Sequence, residues 1–406
     1  MFIKRHVISA VKNAAQWFPV VLLTGSRQVG KSTLLQKEFA DLHYLTLDAP
    51  STMIALQEDA LGFLSAQGTP LILDEVQYAP EAFRLLKYLV DQNRRAGMFY
   101  LTGSQKYSLM QGITESLAGR IAIIDMQGLS NRELAGDDFN QPFLPTKEYF
   151  LRRKSKINYS PMSLWQRIHR GSYPELWDKE DLPWGLFYEN YLQSYLQRDI
   201  RNMGNVANIL SFSSFIVALA ARIGSTLNIA ELSRDIGVDV KTIKHWLAIL
   251  EAGNVIFLLQ PFRSNASKRV SKAPKVYFTD TGLVSFLGKW HSSEVLQNGA
   301  LAGSILENFV IMEIIKSYQN AGTKPELFYY RDNHGNEIDL LLYHENVLHP
   351  LEIKKTLSPD IRILRKFKIL SEVYPEITIG EGGIICPTNE RLALNENNWL
   401  IPINEI

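Results

Sequence analysis

Gly25-Ser26-Arg27-Gln28-Val29-Gly30-Lys31-Ser32 follows the apolar run VVLLT and opens the helical stretch STLLQKEFA. The octet fits G-x-x-x-x-G-K-[ST] in the strand, loop and helix setting that this pattern requires. Glycines let backbone N–H groups wrap phosphate oxygens, the helix N-terminus adds its positive dipole end, and Lys31 brings a point charge. Ser32 is then a ligand for Mg²⁺, and Thr33 continues the loop into the helix. The other reading is a Gly-rich turn without a ligand.

The surrounding sequence supports a phosphate loop. From Pro19 to about Met126, short branched and aromatic runs (PVVLLTG, HYLTLD, TPLILDE, GMFYLTG, RIAIIDM) alternate with amphipathic stretches, the rhythm of a parallel sheet covered on both faces. LILDE puts Asp74 and Glu75 at the C-terminal end of a buried strand, the edge at which open parallel sheets carry ligands. Asp74 is expected to hold Mg²⁺ through water, and Glu75 to orient or deprotonate an attacking water. The alternative is a solvated acidic pair. Ser104, at the end of FYLTGS, is a candidate contact for the terminal phosphate or the water, although Thr-Gly-Ser also occurs in ordinary turns.

GSRQVGKS, LILDE and LTGS together resemble the AAA+ superfamily of P-loop ATPases. DEVQ, SLAGR, GLSNREL, GSYPEL and YLQSYLQRDI narrow the resemblance to a prokaryotic group that adds a helical segment, a winged helix and a nuclease-like tail. The resemblance implies an α/β chain with four parts. These are a P-loop ATPase domain at 1–128, a helical linker or lid-like segment at 129–222, a winged helix at 223–290 and a PD-(D/E)xK nuclease-like domain at 291–406. It implies ATP and Mg²⁺ as ligands. It suggests Arg120 as a charge-stabilising arginine acting in cis or, in a homo-oligomer, on a neighbour's nucleotide; alternatively Arg120 only caps a helix and begins a strand. A separate lid with a second sensor arginine is not evident.

Two short helices are expected around Gly237-Val238-Asp239, with Ile229, Leu232 and Ile236 on one face of the first and Ile243, Trp246, Leu247 and Leu250 on one face of the second. This is helix-turn-helix spacing. The runs VIFLLQPF and KVYFTD then flank a hairpin tip. Arg263, Lys268, Arg269, Lys272 and Lys275 contribute +5 between Pro261 and Lys275, without a carboxylate. DNA is the expected partner, met by this wing and by Lys241, Thr242, Lys244 and His245. The alternative is a protein-interaction module with a solvated basic loop.

In the last quarter, a two-residue turn at Glu345-Asn346 makes paired positions sum to 691, so Asp339 faces Glu352 and Lys354 shares their face. With Glu307 on the preceding helix, D-(x12)-E-x-K resembles the PD-(D/E)xK nuclease core. The resemblance gives these four residues a second divalent metal and a catalytic role; an exposed hairpin with one Lys–Glu pair is the other reading.

The chain has 406 residues, 46% hydrophobic and 21% charged, which are globular values. Its 43 basic and 42 acidic residues leave +1, excluding a surface that is one nucleic-acid or membrane magnet. Cys386 is the single cysteine, so no intramolecular disulfide forms. No apolar stretch reaches about 18 residues and the N-terminus lacks a continuous apolar core, so a cytoplasmic, non-membrane protein is expected. His169, His245 and His291 have no catalytic frame. Trp184, Phe187, Tyr188, Tyr191 and Tyr195 are expected to form a helical core stripe, and Arg198 with Asp199 an internal ion pair, the alternative being an interface or nucleotide-sensing pair. The leading expectation is a Mg²⁺-dependent ATPase whose nucleotide state moves its C-terminal modules on DNA. The alternatives are a nucleotide-switched DNA-binding or regulatory protein with little turnover, and an ATP-gated metal-dependent nuclease.

Overall fold

The computed structural model describes residues 2–104, 116–153, 161–195, 209–263 and 273–406. The first sheet contains β1 (Val20–Thr24), β2 (His43–Thr46), β3 (Leu71–Asp74), β4 (Phe99–Gly103) and β5 (Ile121–Asp125). All pairs are parallel, in the order β2-β3-β4-β1-β5. Every residue of β1, β3 and β4 is buried, which is why they read as unbroken apolar runs. β4 lies between β1 and β3, so the carboxyl ends that follow with the Gly25–Ser32 loop, Glu75 and Ser104 share one edge.

Helices then dominate as far as Ala252. Phe187, Tyr188 and Tyr191 of the helix Trp184–Tyr195 are buried around Tyr173, and Trp184 stacks on His169, as core packing requires. The side chain of Tyr195, and Arg198 and Asp199, lie outside the described residues. The stretch GSYPEL is a latch: Ser172 donates N–H (2.6 Å) and Oγ–H (2.8 Å) to Asp280, which also accepts from Tyr188 (2.7 Å) and caps the helix Thr281–Leu287.

The two expected short helices are Ile229–Ile236 and Val240–Ala252, capped by Asn228 and Asp239. Ile243, Trp246, Leu247 and Leu250 are buried, with Trp246 against Phe212 and Phe215. The hairpin follows as β6 (Ile256–Pro261) and β7 (Lys275–Phe278). It is not a free wing. β6 pairs in parallel with β8 (Glu326–Arg331), and the second sheet continues through β9 (Glu337–His344), β10 (Val347–Ile353), β11 (Thr378–Ile379), β12 (Gly382–Cys386), β13 (Leu392–Ala393) and β14 (Asn398–Pro402). The boundary expected at 290/291 therefore cuts a shared sheet, because Gln260 and Pro261 extend the hairpin onto Phe328 and Tyr329. The β9–β10 register, Val347 with His344 through Leu351 with Leu340, is the one the two-residue turn dictates. Glu345 and Asn346 both take positive φ, as such a turn needs.

The helix Ala302–Asn320 is buried almost all round and carries Glu313 and Lys316 inside the molecule. Glu313 accepts the Asn131 N–H (2.8 Å) and Lys316 donates to Glu313 (2.9 Å) and the Leu129 carbonyl (3.0 Å). One turn of the chain away, Ser130 and Glu133 form a reciprocal capping box on the helix Asn131–Leu134. Glu133 also accepts from Arg5 (3.1 Å) and the His6 N–H (2.8 Å). Arg132 ties the same short helix to Phe139, Gln141, Tyr149 and Ile406. The residues of GLSNREL are thus the bolts of a buried junction, and a single apolar cluster runs across it from Val7 to Ile406. No described helix is long and apolar enough to cross a membrane.

Burial works against ionisation of Glu133, but the Arg5 guanidinium and the Ser130 and His6 N–H groups hold its carboxyl below the usual value. Glu133→Ala leaves Arg5 buried without its counter-charge and is expected to cost about 3–5 kcal/mol in urea denaturation at neutral pH. On acidification the unfolded carboxyl protonates first. The stabilisation is therefore whole above the unfolded value of 4.5 and is lost as pH falls through the lowered folded value, so the mutational cost should shrink in acid.

Candidate nucleotide site and the carboxylate cluster

Gly25 passes so close to the chain after β5 that an added Cβ would sit 2.1 Å from the Met126 carbonyl oxygen, and Gly30 enters the helix Lys31–Glu38 with φ 93°. Both positions need glycine for steric reasons. Lys31 is buried and its ammonium folds back onto the carbonyls of Gly25 (3.0 Å) and Ser26 (2.8 Å). Ser32 donates to Asp74 Oδ1 at 2.7 Å. Asp74 also accepts from the Tyr44 hydroxyl (2.6 Å) and from Thr102 Oγ1. Burial and the hydrogen bond to Asp74 push the Tyr44 phenol well above its ordinary range.

Glu75 takes a left-handed backbone (φ 56°), which is costly for a non-glycine residue, and its N–H is tied to Thr102 Oγ1 at 3.1 Å. Its carboxylate accepts from Gln77 Nε2 and lies 3.4 Å from Ser104 Oγ. Ser32, Asp74, Glu75 and Ser104 are thus brought to one edge, with Lys31 in the loop beside them. A serine hydroxyl against a carboxylate is a donor set that suits Mg²⁺, a hard cation that takes oxygen ligands. Tyr44, Thr102, Gln77 and Arg5 were not given roles from sequence. Tyr44 and Thr102 meet Asp74 only through strand order; Arg5 reaches the Val29 carbonyl (2.8 Å) from a remote segment.

Arg120 is not brought to this edge. It precedes β5, accepts the Val20 N–H on its carbonyl, and so sits at the opposite end of five-residue strands, roughly 16 Å from the loop at about 3.3 Å per residue. Its guanidinium makes a two-point ion pair with Asp91 (2.6 and 3.0 Å). A role in cis on the same chain's nucleotide is ruled out by this placement.

On the second of the two short helices, Lys241, Lys244 and His245 are exposed on the face away from Ile243 and Trp246. Thr242 is engaged by the Asp239 cap at 2.8 Å. Arg263 is half-buried at the end of β6, whereas Lys268, Arg269 and Lys272 lie outside the described residues.

Glu307, Asp339, Glu352 and Lys354 do converge. Lys354 Nζ lies 2.7 Å from Asp339 Oδ2 and 2.6 Å from Glu352 Oε2. Glu307 accepts from Tyr277 OH (2.5 Å) and pairs with Lys275 Nζ at 3.3 Å. Burial raises the Glu307 carboxyl to about 6, against the pull of Lys275; burial and Asp339 raise Glu352 to about 7, against Lys354. The second divalent metal expected here does not fit. Among the described residues no three His, Cys, Asp or Glu side chains are disposed to hold one, and two ammonium groups stand among the carboxylates.

Comparison with known proteins divides the chain in three. Residues 18–135 match the family model described as AAA domain, residues 162–294 the domain of unknown function DUF8612, and residues 302–406 the domain of unknown function DUF4143. The uncharacterized proteins Rv2008c of Mycobacterium tuberculosis and Mb2031c of Mycobacterium bovis are each 26% identical over 405 residues, covering 99% of this chain and 84% of theirs. Among solved structures, the Walker-type ATPase PABY2304 of Pyrococcus abyssi aligns over 70% of this chain and 96% of its own (15% identity, TM-score 0.43). The RuvB Holliday junction branch migration motor of Thermotoga maritima aligns over 66% and 92% (15% identity, TM-score 0.29). Neither alignment is close enough to carry an argument. The match of residues 18–135 to the AAA domain model, the parallel sheet and the loop geometry agree in giving the first part of the chain an α/β fold like that of P-loop ATPases.

Arg120→Ala is expected to leave ATP turnover within about two-fold of wild type, since the change removes only a solvent-screened surface ion pair with Asp91. A steady-state assay across protein concentrations checks this; a large loss that appears only where chains associate would show use by a neighbouring chain.

Proposed function

We propose that the protein is a Mg²⁺-dependent ATPase whose nucleotide state is passed to its C-terminal half, with the helix Val240–Ala252 meeting DNA. The observation that carries the hydrolytic reading is the grouping of Ser32 on Asp74 with Glu75 held by Gln77 and Ser104 at the same strand ends. Mg²⁺ bound with ATP would be held by Ser32 and Asp74 and would offset the phosphate charge.

The chain's own groups account for the rest. Lys31 exchanges the Gly25 and Ser26 carbonyls for phosphate oxygens, with Ser26, Arg27, Gln28, Val29 and Gly30 supplying the loop backbone. Glu75 accepts the proton of the attacking water while Gln77 and Ser104 fix its carboxylate. A cavity of about 520 Å³ opens beside the loop, lined by Phe2, Ile3, Val29, Thr33 and Pro174, and it suits the nucleoside of ATP. Arg5 touches the Val29 carbonyl and Glu133, and Leu129 and Asn131 touch the helix Ala302–Asn320, which supports passage of a loop change into the second half.

Exposed Lys241, Lys244 and His245 on one helix face support the DNA contact, to which Arg263 and, in the sequence between β6 and β7, Lys268, Arg269 and Lys272 add basic charge.

Two measurements test this reading. Glu75→Gln should retain ATP binding and lose about 10²- to 10⁴-fold in turnover; unchanged turnover would remove Glu75 from the chemistry. Duplex-DNA affinity titrated against salt should fall log-linearly, with the slope reduced by about 1 for each of Lys241→Ala and Lys244→Ala. Absence of binding at low salt would exclude DNA as the partner.

A further inference from the structure

Four carboxylates surround the meeting of β7, β9, β10 and the helix Ala302–Asn320: Glu307, Glu337, Asp339 and Glu352. Lys354 covers the Asp339 and Glu352 side. The other side is covered by Lys275, which the hairpin contributes from the first position of β7. Its ammonium lies 2.6 Å from Glu337 Oε1 and 3.3 Å from Glu307 Oε1, and it stands 5.5 Å over the Tyr329 ring. Lys275 is 2% exposed. A lysine so enclosed is tolerated only where fixed negative charge replaces its water.

A divalent metal and an ammonium ion compete for the same thing, a pocket of converging carboxylate oxygens. Here the second pair of charges is already matched by protein. Glu352 is 1% exposed and neither of its oxygens has a hydrogen-bond partner, Lys354 Nζ standing 2.6 Å from Oε2 as an ion pair. A buried carboxylate oxygen without a donor is an open coordination position.

We propose that Lys275 is the resident cation of this cluster: its ammonium takes the place of a divalent metal, so that the cluster fastens the hairpin to the C-terminal sheet and loads no metal while Lys275 is present. Removing the ammonium uncovers to a hard cation the two carboxylates it holds, Glu307 and Glu337.

Mn²⁺ binding to the nucleotide-free full-length chain, followed by the electron paramagnetic resonance signal of the free ion, tests this. All proteins carry Asp74→Asn so that the nucleotide site does not contribute. The parent should show no saturable site at millimolar Mn²⁺. Lys275→Met should gain one site at least about ten-fold tighter. Lys275→Arg, which keeps the charge, should behave as the parent, and adding Glu307→Gln to Lys275→Met should abolish the gain. If Lys275→Met loses its cooperative thermal transition, Lys275→Gln takes its place, since it keeps a donor for Glu307. A parent that binds Mn²⁺ as tightly as the Met variant overturns the proposal, as does a gain shared equally by Lys275→Arg or no gain in either neutral variant.

Discussion

The carboxylate of Glu133 is buried, and around it four pieces of chain that are far apart in sequence become one object. It accepts from Arg5 and from the His6 N–H on the N-terminal side, and from the Ser130 N–H of its own helix. Arg5 in turn holds the carbonyls of Val29, Gln127 and Gly128. A buried charge of this kind is stable only if every partner is in place, so it selects one arrangement of the phosphate loop, the exit of β5 and the N-terminal segment. The helix Ala302–Asn320 is joined to this segment at Asn131 and Leu129 through Glu313 and Lys316. The second sheet is thereby referenced to the first through charged side chains rather than through apolar packing alone.

This placement matters for the nucleotide loop because Arg5 grips the Val29 carbonyl from behind while Lys31 grips the Gly25 and Ser26 carbonyls from within. Arriving phosphate draws on the second set of bonds and leaves the first. The loop can change its ligand without leaving its frame. Glu75 has a comparable arrangement: its backbone is held in a left-handed turn by Thr102, and the same threonine donates to Asp74. Strain at Glu75 and orientation of Asp74 thus share one hydroxyl, which sits on the strand between the two that carry the loop and the acidic pair.

Much of this was legible in sequence where local rules bind tightly. Parallel strands buried on both faces must read as apolar runs, and β1, β3 and β4 do. A two-residue turn admits one register, and Leu351 pairs with Leu340 accordingly. Legibility stopped where side chains from separate elements meet. Tyr44 and Thr102 belong to different strands, and only the strand order sets both on Asp74. β14 (Asn398–Pro402) was missed because it is short and follows a polar stretch. Arg120 is instructive in the other direction. It precedes its strand, and the entry of a parallel strand lies at the edge opposite the ligands, so chain position alone argued against a contact that resemblance suggested. Lys275 was counted in the charge of the hairpin, yet it points inward, since charge totals carry no direction.

The parallel ladder between β6 and β8 has a mechanical meaning. Main-chain bonds join the hairpin, and through it the two short helices, to the sheet that contains the carboxylate cluster. Shearing these parts past one another would break sheet hydrogen bonds, so they are expected to travel as one lever. The described hydrogen bonds between this unit and the preceding chain run instead through side chains, among them those at Leu129 and Asn131, the Ser172–Asp280 latch and Arg132 to the Ile406 carbonyl. That unit includes everything from the helix Val240–Ala252 to the last strand, so any displacement of the second sheet would be carried to the exposed face where Lys241 and Lys244 stand.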